Sequence, residues 1–160
     1  MYFDRLPVMT VSADKQCEIL AVALQKGGVG KTTTTINLGP NLAAMGLRVR
    51  VIDMDQQAHS TKGLGIELDA EDASMYEVLH PDRAMRVPLA KVIVPTQFGI
   101  DVAPGHLALK ELERTGLGSG GQLRLARQLD ERASSRRITR TDIVEVVGAR
   151  VPLKRKGREY

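Results

Sequence analysis

The segment from Gln25 to Thr33, QKGGVGKTT, constrains the fold of this 160-residue chain more than any other stretch. An apolar run over residues 18–24 precedes it and predicts a short buried strand, and residues 32–45 have the apolar spacing of a helix. A strand, a glycine-rich turn and a helix N-terminus in this order form a cradle whose backbone N–H groups point at an anion. The segment therefore predicts a phosphate-binding turn, with glycines where a β-carbon would block the phosphate.

The strict phosphate-binding loop pattern requires a glycine where this chain has Gln25, so the motif KGGVGKT is a variant of it. By that pattern Lys31 contacts the β- and γ-phosphates, and the Thr32 hydroxyl binds Mg²⁺. The variant, with its second lysine at Lys26, closely resembles the deviant Walker A motif of the ParA/MinD family of ATPases. The resemblance implies that Lys26 contacts the nucleotide of the partner subunit in a dimer. The predicted nucleotide-binding residues are Gly27, Gly28, Val29, Gly30, Lys31, Thr32 and Thr33.

A second pair of candidate residues, Asp53 and Asp55, follows the strand predicted over residues 48–53. The helix–strand spacing suits a βαβ unit with a parallel sheet, and ligands of such sheets bind beyond the carboxyl ends of the strands. The segment VIDMDQQ is similar to the D-x-D-P-Q motif of the same family, with Gln56 in place of the proline. That similarity implies that Asp55 positions the attacking water and that Asp53 supports the metal. The implied catalytic residues are Lys26, Lys31 and Asp55, and the implied ligands of Mg²⁺ are Thr32 and Asp53.

The resemblance is continuous over residues 17–131 and implies an α/β fold, a doubly wound parallel sheet with helices on both faces. Residues 1–16 have little periodicity and are expected to form a loosely ordered leader. Pro40 lies inside the predicted helix 32–45, where it removes a backbone hydrogen bond and predicts a kink or a weakened helix. Apolar runs predict further strands over residues 91–95 and 99–104, and helices over residues 74–79, 106–114 and 122–131.

After Glu131 the family pattern requires an apolar strand that ends in an aspartate and a proline pair, and no such segment follows. Residues 138–160 instead resemble the opening of a DnaG-type primase, which implies a basic helical tail over residues 132–160 that ends before any zinc ligand. The alternative is a basic amphipathic extension without that ancestry. The predicted sheet is therefore incomplete, and we expect exposed strand edges and marginal stability unless a partner covers them.

The formal net charge of +4 is unevenly distributed along the chain. Residues 1–131 carry 14 Lys/Arg against 16 Asp/Glu, whereas residues 132–160 carry 9 against 3. The basic character thus belongs to the tail, and the predicted nucleotide-binding part has no nucleic-acid footprint of its own. The single cysteine, Cys17, excludes an intramolecular disulfide and a multi-cysteine metal site. No apolar run approaches the roughly 20 residues of a membrane span, and we expect a cytoplasmic protein.

Two functions from different classes remain open from the sequence. The first is a ParA-type ATP-binding protein for plasmid or chromosome partition, truncated and with weak or no hydrolysis. The resemblance then implies ATP and Mg²⁺ as cofactors, an ATP-dependent homodimer, a ParB-type partner and non-specific binding to DNA of the nucleoid. The second is a non-enzymatic remnant whose basic, primase-like tail contacts nucleic acid or a replication partner. A MinD-like or nitrogenase-iron-protein-like relative shares the phosphate cradle and is a weaker third reading.

Overall fold

The computed structural model describes residues 18–24, 26–69, 71–135 and 142–148. The strands are β1 (Glu18–Ala23), β2 (Arg48–Asp53), β3 (Val94–Pro95), β4 (Asp101–Ala103) and β5 (Asp142–Gly148). The helices are α1 (Lys31–Ala44), α2 (His59–Gly63), α3 (Met75–Leu79), α4 (Leu109–Thr115) and α5 (Arg124–Ser135). Short 3₁₀ helices lie at Arg83–Met85, Leu89–Lys91 and Gly121–Leu123. Within these described ranges, no helix is long and apolar enough to cross a bilayer.

The strands form one sheet in the order β1-β5-β2-β4-β3. Strand β5 runs parallel to both β1 and β2, and β2 runs parallel to β4. Only the two-residue strand β3 is antiparallel to its neighbour in this described sheet. Strands that alternate with helices and pair in parallel are the expected result of successive βαβ units. The predicted α/β fold is therefore confirmed.

Helices cover both faces of β2, because successive side chains of a strand point to opposite faces of the sheet. Val49 and Val51 lie in one apolar cluster together with Leu64, the residue after α2. Ile36 of α1 packs against this cluster. Ile52 lies in a second cluster, which is built mainly from α3, α4 and residues of the segment between α3 and β3. The fully buried members of both clusters are aliphatic. The prediction of helices on both faces is thus also confirmed.

Strand β5 corrects the expectation for the tail. We expected residues 132–160 to be helical and the sheet to lack its later strands. Instead residues 142–148 form a central strand, with Val144 paired to Ile19 on one side and to Arg50 on the other. The segment DIVEVVG is rich in β-branched residues, which favour a strand when neighbouring strands flank it on both sides. Residues 1–17, 136–141 and 149–160, which include the predicted leader and most of the primase-like tail, lie outside the described residues.

Strand β1 lies at the edge of the described sheet, and its side chains are more exposed than a buried strand predicts. Ile19 is 55% exposed, and Leu24, the residue after the strand, is 56% exposed. A run of apolar residues on an unpaired edge is a surface that proteins normally cover or interrupt with charge. The prediction of a buried strand is therefore wrong for β1, and the expectation of an exposed edge holds there.

Other differences from the sequence expectations are local. Helix α1 continues through Pro40 to Ala44, so the proline does not end it. The segment predicted as strand 91–95 begins with a 3₁₀ turn and leaves only Val94–Pro95 in the sheet. Helix α4 starts at Leu109, because the preceding residues form a turn in which the ring of His106 accepts a hydrogen bond from the amide of Ala108 at 3.2 Å.

Candidate nucleotide site

The loop over residues 26–30 connects β1 to α1, and its conformation requires glycine at two positions. Gly28 has a φ of 71° and Gly30 a φ of 89°, both in the left-handed region that side chains with a β-carbon rarely adopt. Gly30 caps the N-terminus of α1, and its carbonyl oxygen accepts the amide of Thr34 at 2.8 Å. The first amides of α1 therefore lack helical partners and face the loop, as in an anion-binding turn.

The glycines of this loop border open space. A β-carbon built on Gly27, Gly28 or Gly30 meets no heavy atom within 4 Å. No close packing against protein therefore explains three glycines in four positions. Backbone amides around an open glycine turn can bind a phosphate group. The predicted residues from Gly27 to Thr33 thus lie together at one helix start.

The two lysines of the motif meet at the backbone of the loop. The Nζ atom of Lys31 donates a hydrogen bond to the carbonyl oxygen of Lys26 at 3.1 Å. The side chain of Lys26 itself is exposed, as is that of Val29. This hydrogen bond holds the Lys31 side chain over the loop.

The start of α1 is anchored by a threonine that the sequence analysis did not single out. Thr35 is fully buried, and its hydroxyl donates to the carbonyl oxygen of Lys31 at 3.1 Å. Thr32 is half-buried, whereas Thr33 is exposed and its carbonyl oxygen accepts the side-chain amide of Asn37 at 2.7 Å. In the sequence Thr35 is only the fourth of four consecutive threonines. Its spacing of four residues from Lys31 predicts a hydrogen bond only once the helix is known.

Asp53 ends β2 as a fully buried carboxylate that accepts three hydrogen bonds. Its Oδ1 atom accepts the amide of Asp55 at 3.0 Å. Its Oδ2 atom accepts both the amide and the hydroxyl of Thr61, at 2.8 and 2.6 Å. Burial raises the pKa of Asp53, and the hydrogen bonds from Thr61 and Asp55 oppose that rise in part. The carboxylate therefore organises the segment that follows β2.

The hydrogen bonds of Asp53 bear on its predicted role at the metal. Both carboxylate oxygens accept hydrogen bonds within the protein, and these bonds order the segment that follows β2. Thr32, the other predicted ligand, lies half-buried in the first turn of α1. Within the ranges that the structure describes, no group of three or more His, Cys, Asp or Glu side chains is arranged to hold a metal ion.

Asp55 is the second carboxylate of the segment and is only half-buried. Its Oδ1 atom accepts the amide of Gln57 at 2.9 Å, and its carbonyl oxygen accepts the amide of Ala58 at 2.9 Å. Gln56, which replaces the proline of the family motif, donates to Glu113 at 3.3 Å. The chain therefore completes the turn after Asp55 without a proline.

The sheet brings the two motifs to the same edge. The phosphate-binding loop follows β1, Asp55 follows β2, and β5 lies between these two strands. Neighbouring strands are about 4.8 Å apart, so the ends of β1 and β2 are separated by about 10 Å. Ligands of parallel sheets bind beyond this carboxyl edge. The predicted catalytic residues Lys31 and Asp55 are therefore brought to one side of the molecule.

Comparison with known proteins agrees with this geometry. A family model described as an AAA domain (AAA_31) matches residues 17–134. The chromosome partitioning protein ParA of Caulobacter vibrioides is 45% identical over 96 residues, which cover 59% of this chain and 34% of that protein. The sporulation initiation inhibitor protein Soj of Bacillus subtilis is 41% identical over 96 residues, which cover 60% of this chain and 37% of Soj. The chain spans about a third of the length of these curated relatives.

A solved structure with a similar fold is cobyrinic acid a,c-diamide synthase from Mycobacterium smegmatis with a bound ATP analog and magnesium. It superimposes with a TM-score of 0.70 at 32% identity, over 82% of this chain and 50% of that chain. The family model covers well over half of this chain, from the strand before the phosphate-binding loop to α5. The protein therefore belongs to the AAA domain family AAA_31, and ParA and Soj are among its homologues.

Proposed function

We propose that this chain is an ATP-binding protein of the ParA type that acts in plasmid or chromosome partition. The observation that carries the proposal is the open, glycine-lined turn at Gly28 and Gly30, which leads directly into Lys31 and Thr32 at the start of α1. The similarity to ParA and Soj supports the partition role, and the ATP analog in the structurally similar synthase supports ATP as the nucleotide.

Each residue of the loop has a distinct task in this proposal. The amides of residues 27–30 and the dipole of α1 bind the phosphates. Lys31 leaves the carbonyl oxygen of Lys26 and donates to the β- and γ-phosphates, which replaces a neutral acceptor by a charged one. The hydroxyl of Thr32 holds Mg²⁺, which neutralises phosphate charge when it is bound. Asp55 orients the attacking water from the end of β2.

We further propose that hydrolysis by this chain is weak or absent. Strand β5 ends at the carboxyl edge between the phosphate-binding loop and Asp55, with Gly148 level with Ala23 and Val147 level with Asp53. The last residues of β5 are Val146, Val147 and Gly148, none of which has a carboxylate. The end of β5, which lies between the phosphate-binding loop and Asp55, therefore contributes no acid to a metal or a water there.

The partners of this chain follow from the same family likeness. Lys26 and Val29 are exposed beside the loop, as residues that meet a second subunit across a bound nucleotide must be. We propose an ATP-dependent homodimer with Lys26 donating to the partner's nucleotide, a ParB-type protein as the stimulating partner, and a cytoplasmic, nucleoid-associated location. The competing non-enzymatic remnant loses part of its support, because residues 142–148 of the basic tail lie in the sheet.

Fluorescence titration with mant-ATP and Mg²⁺ tests the proposal. Wild type should bind saturably, and Lys31→Ala should bind at least about tenfold more weakly, because hydrogen bonds to charged groups contribute roughly 1.5–3 kcal/mol. Lys62→Ala is the matched control, since Lys62 is an exposed lysine of α2 that is remote in sequence from the loop. Unlabelled ATP should displace the probe more readily than GTP. Equal binding by wild type and Lys31→Ala would refute the proposal.

A further inference from the structure

The segment between β2 and α2 is held by a chain of buried hydrogen bonds that passes through one threonine. Thr61 is 2% exposed. Its hydroxyl donates to Oδ2 of Asp53 at 2.6 Å and accepts the amide of Gly105 at 2.9 Å. A hydroxyl has one hydrogen to donate and two lone pairs to accept, so both partners are served at once. Thr61 thus connects the end of β2 with the loop that follows β4.

The same chain reaches Asp55 through the other carboxylate oxygen. Oδ1 of Asp53 accepts the amide of Asp55, so the backbone of Asp55 is fixed by the carboxylate that Thr61 orients. On the far side, the carbonyl oxygen of Pro104 accepts the amide of Met75 at 2.9 Å, which ties this loop to α3. The position of Asp55 therefore depends on elements that are distant in sequence.

The two carboxylates of the motif have different surroundings. Asp53 is fully buried with both oxygens engaged, whereas Asp55 is half-buried at the sheet edge. Three hydrogen bonds leave about one of the four lone-pair sites of this carboxylate open, and that site is buried with the rest of the side chain, so a cation could reach it only if the surrounding protein moved. The surroundings of Asp53 thus suit it to order the backbone of Asp55, and they do not suit it to act in place of Asp55 at the sheet edge.

We propose that Thr61, acting through Asp53, is a positioning residue for Asp55 and that Asp53 is not a ligand of the metal. This deepens the proposed function, because the position of Asp55 matters only if the site binds a nucleotide. The structural part of the proposal, that Thr61 fixes the backbone of Asp55, is independent of any nucleotide.

The adjacent residue supplies a matched control. Ser60 is as buried as Thr61, but its hydroxyl has no hydrogen-bond partner among the described residues. Thr61→Val removes the connecting hydroxyl and keeps the shape of the side chain, Thr61→Ser keeps the hydroxyl, and Ser60→Ala removes a hydroxyl that connects nothing. These three variants separate the loss of the hydrogen-bond chain from a general response of α2 to substitution.

The first measurement is amide hydrogen exchange of the whole, nucleotide-free chain. In Thr61→Val the amide of Gly105 loses its acceptor, and the carboxylate that accepts the amide of Asp55 loses one of its three donors. Both amides should therefore exchange about tenfold faster. The amide of Val51 in β2 should change less than about twofold, and Thr61→Ser and Ser60→Ala should resemble wild type. An unchanged Asp55 amide in Thr61→Val, or an equal effect of Ser60→Ala, would overturn the proposal.

The second measurement is the Mg²⁺ dependence of mant-ATP binding. In Asp53→Asn the half-saturating Mg²⁺ concentration should stay within about twofold of wild type, because this side chain bonds to Asp55 and Thr61 and, in the proposal, neither to the metal nor to Thr32, its ligand. A rise of about tenfold or more would place Asp53 at the metal, as a ligand or as a hydrogen-bond partner of a ligand, and overturn that half of the proposal. If wild type does not bind mant-ATP at all, the proposed function fails, while the exchange experiment still decides the role of Thr61.

Discussion

Gly105 lies directly against the backbone of Asp53. A β-carbon built on Gly105 would be 2.9 Å from the carbonyl oxygen of Asp53 and 2.9 Å from that of Asp55. Contacts this short are too close for a real β-carbon, and backbone atoms cannot turn aside as the end of a flexible side chain can. The loop after β4 can therefore reach the loop after β2 only with glycine at this position.

Gly105→Ala should lower the free energy of unfolding by about 1–3 kcal/mol, the usual cost of overpacking a buried site. Urea unfolding followed by circular dichroism measures the change. Gly27→Ala is the matched control, because a β-carbon on Gly27 meets nothing within 4 Å, so its stability should stay close to that of wild type. A Gly105→Ala protein as stable as Gly27→Ala would show that the two loops do not approach in this way.

Ala58 has a φ of 49°, the one positive φ at a residue other than glycine in the described chain. The left-handed conformation costs a residue with a β-carbon roughly 1–2 kcal/mol. Ala58→Gly should therefore raise the free energy of unfolding by about 1 kcal/mol, against the usual direction of an alanine-to-glycine change. Ala126→Gly, at an exposed position of α5, should instead lower stability by about 0.5–1 kcal/mol. A loss of stability in both variants would contradict the conformation described for Ala58.

The buried carboxyl of Asp53 should make stability depend on pH. Burial raises the pKa of Asp53 above its ordinary value of 3.8, and the nearby charge of Asp55 adds a smaller contribution in the same direction. The folded state then binds the proton more tightly than the unfolded state. The stability from this group is fully present below pH 3.8 and is lost as pH rises through the raised pKa of the folded state.

Asp53→Asn isolates this contribution, because the variant has no proton to lose at that position. In nucleotide-free protein with EDTA, the free energy of unfolding of wild type relative to Asp53→Asn should fall as pH rises through this range, and then level off. Urea unfolding over a pH series measures it. If wild type instead gains stability relative to the variant as pH rises, the pKa of Asp53 is lowered and the burial argument is wrong.

The sequence predicted the parts of the site that depend on local chemistry. The phosphate-binding loop, α1, β2 and the position of Asp55 follow from a motif in which each residue acts on its near neighbours. The glycines at residues 28 and 30 indicate left-handed turns, and the lysine and threonine that follow indicate the helix start. Boundaries differed by only a residue or so in these elements.

The parts that the sequence did not reveal depend on distant contacts. Strand β5 acquires its conformation from β1 and β2, which lie more than 80 residues away in the chain. The short apolar run in the basic tail therefore did not predict that these residues join the sheet. The hydrogen-bond partners of Asp53 could not be foreseen from the sequence either. Thr61 is eight residues from Asp53, and Gly105 is 44 residues from Thr61.

Amide hydrogen exchange of residues 26–33, with and without a saturating non-hydrolysable ATP analog and Mg²⁺, tests the central claim most directly. If the amides of this loop bind the phosphates, exchange at Gly28, Gly30 and residue 31 should slow on addition of the analog in wild type, and Lys31→Ala should need a higher analog concentration for the same protection. Unchanged exchange across the loop in wild type, with protection elsewhere or nowhere, would contradict the claim that this turn is the nucleotide site.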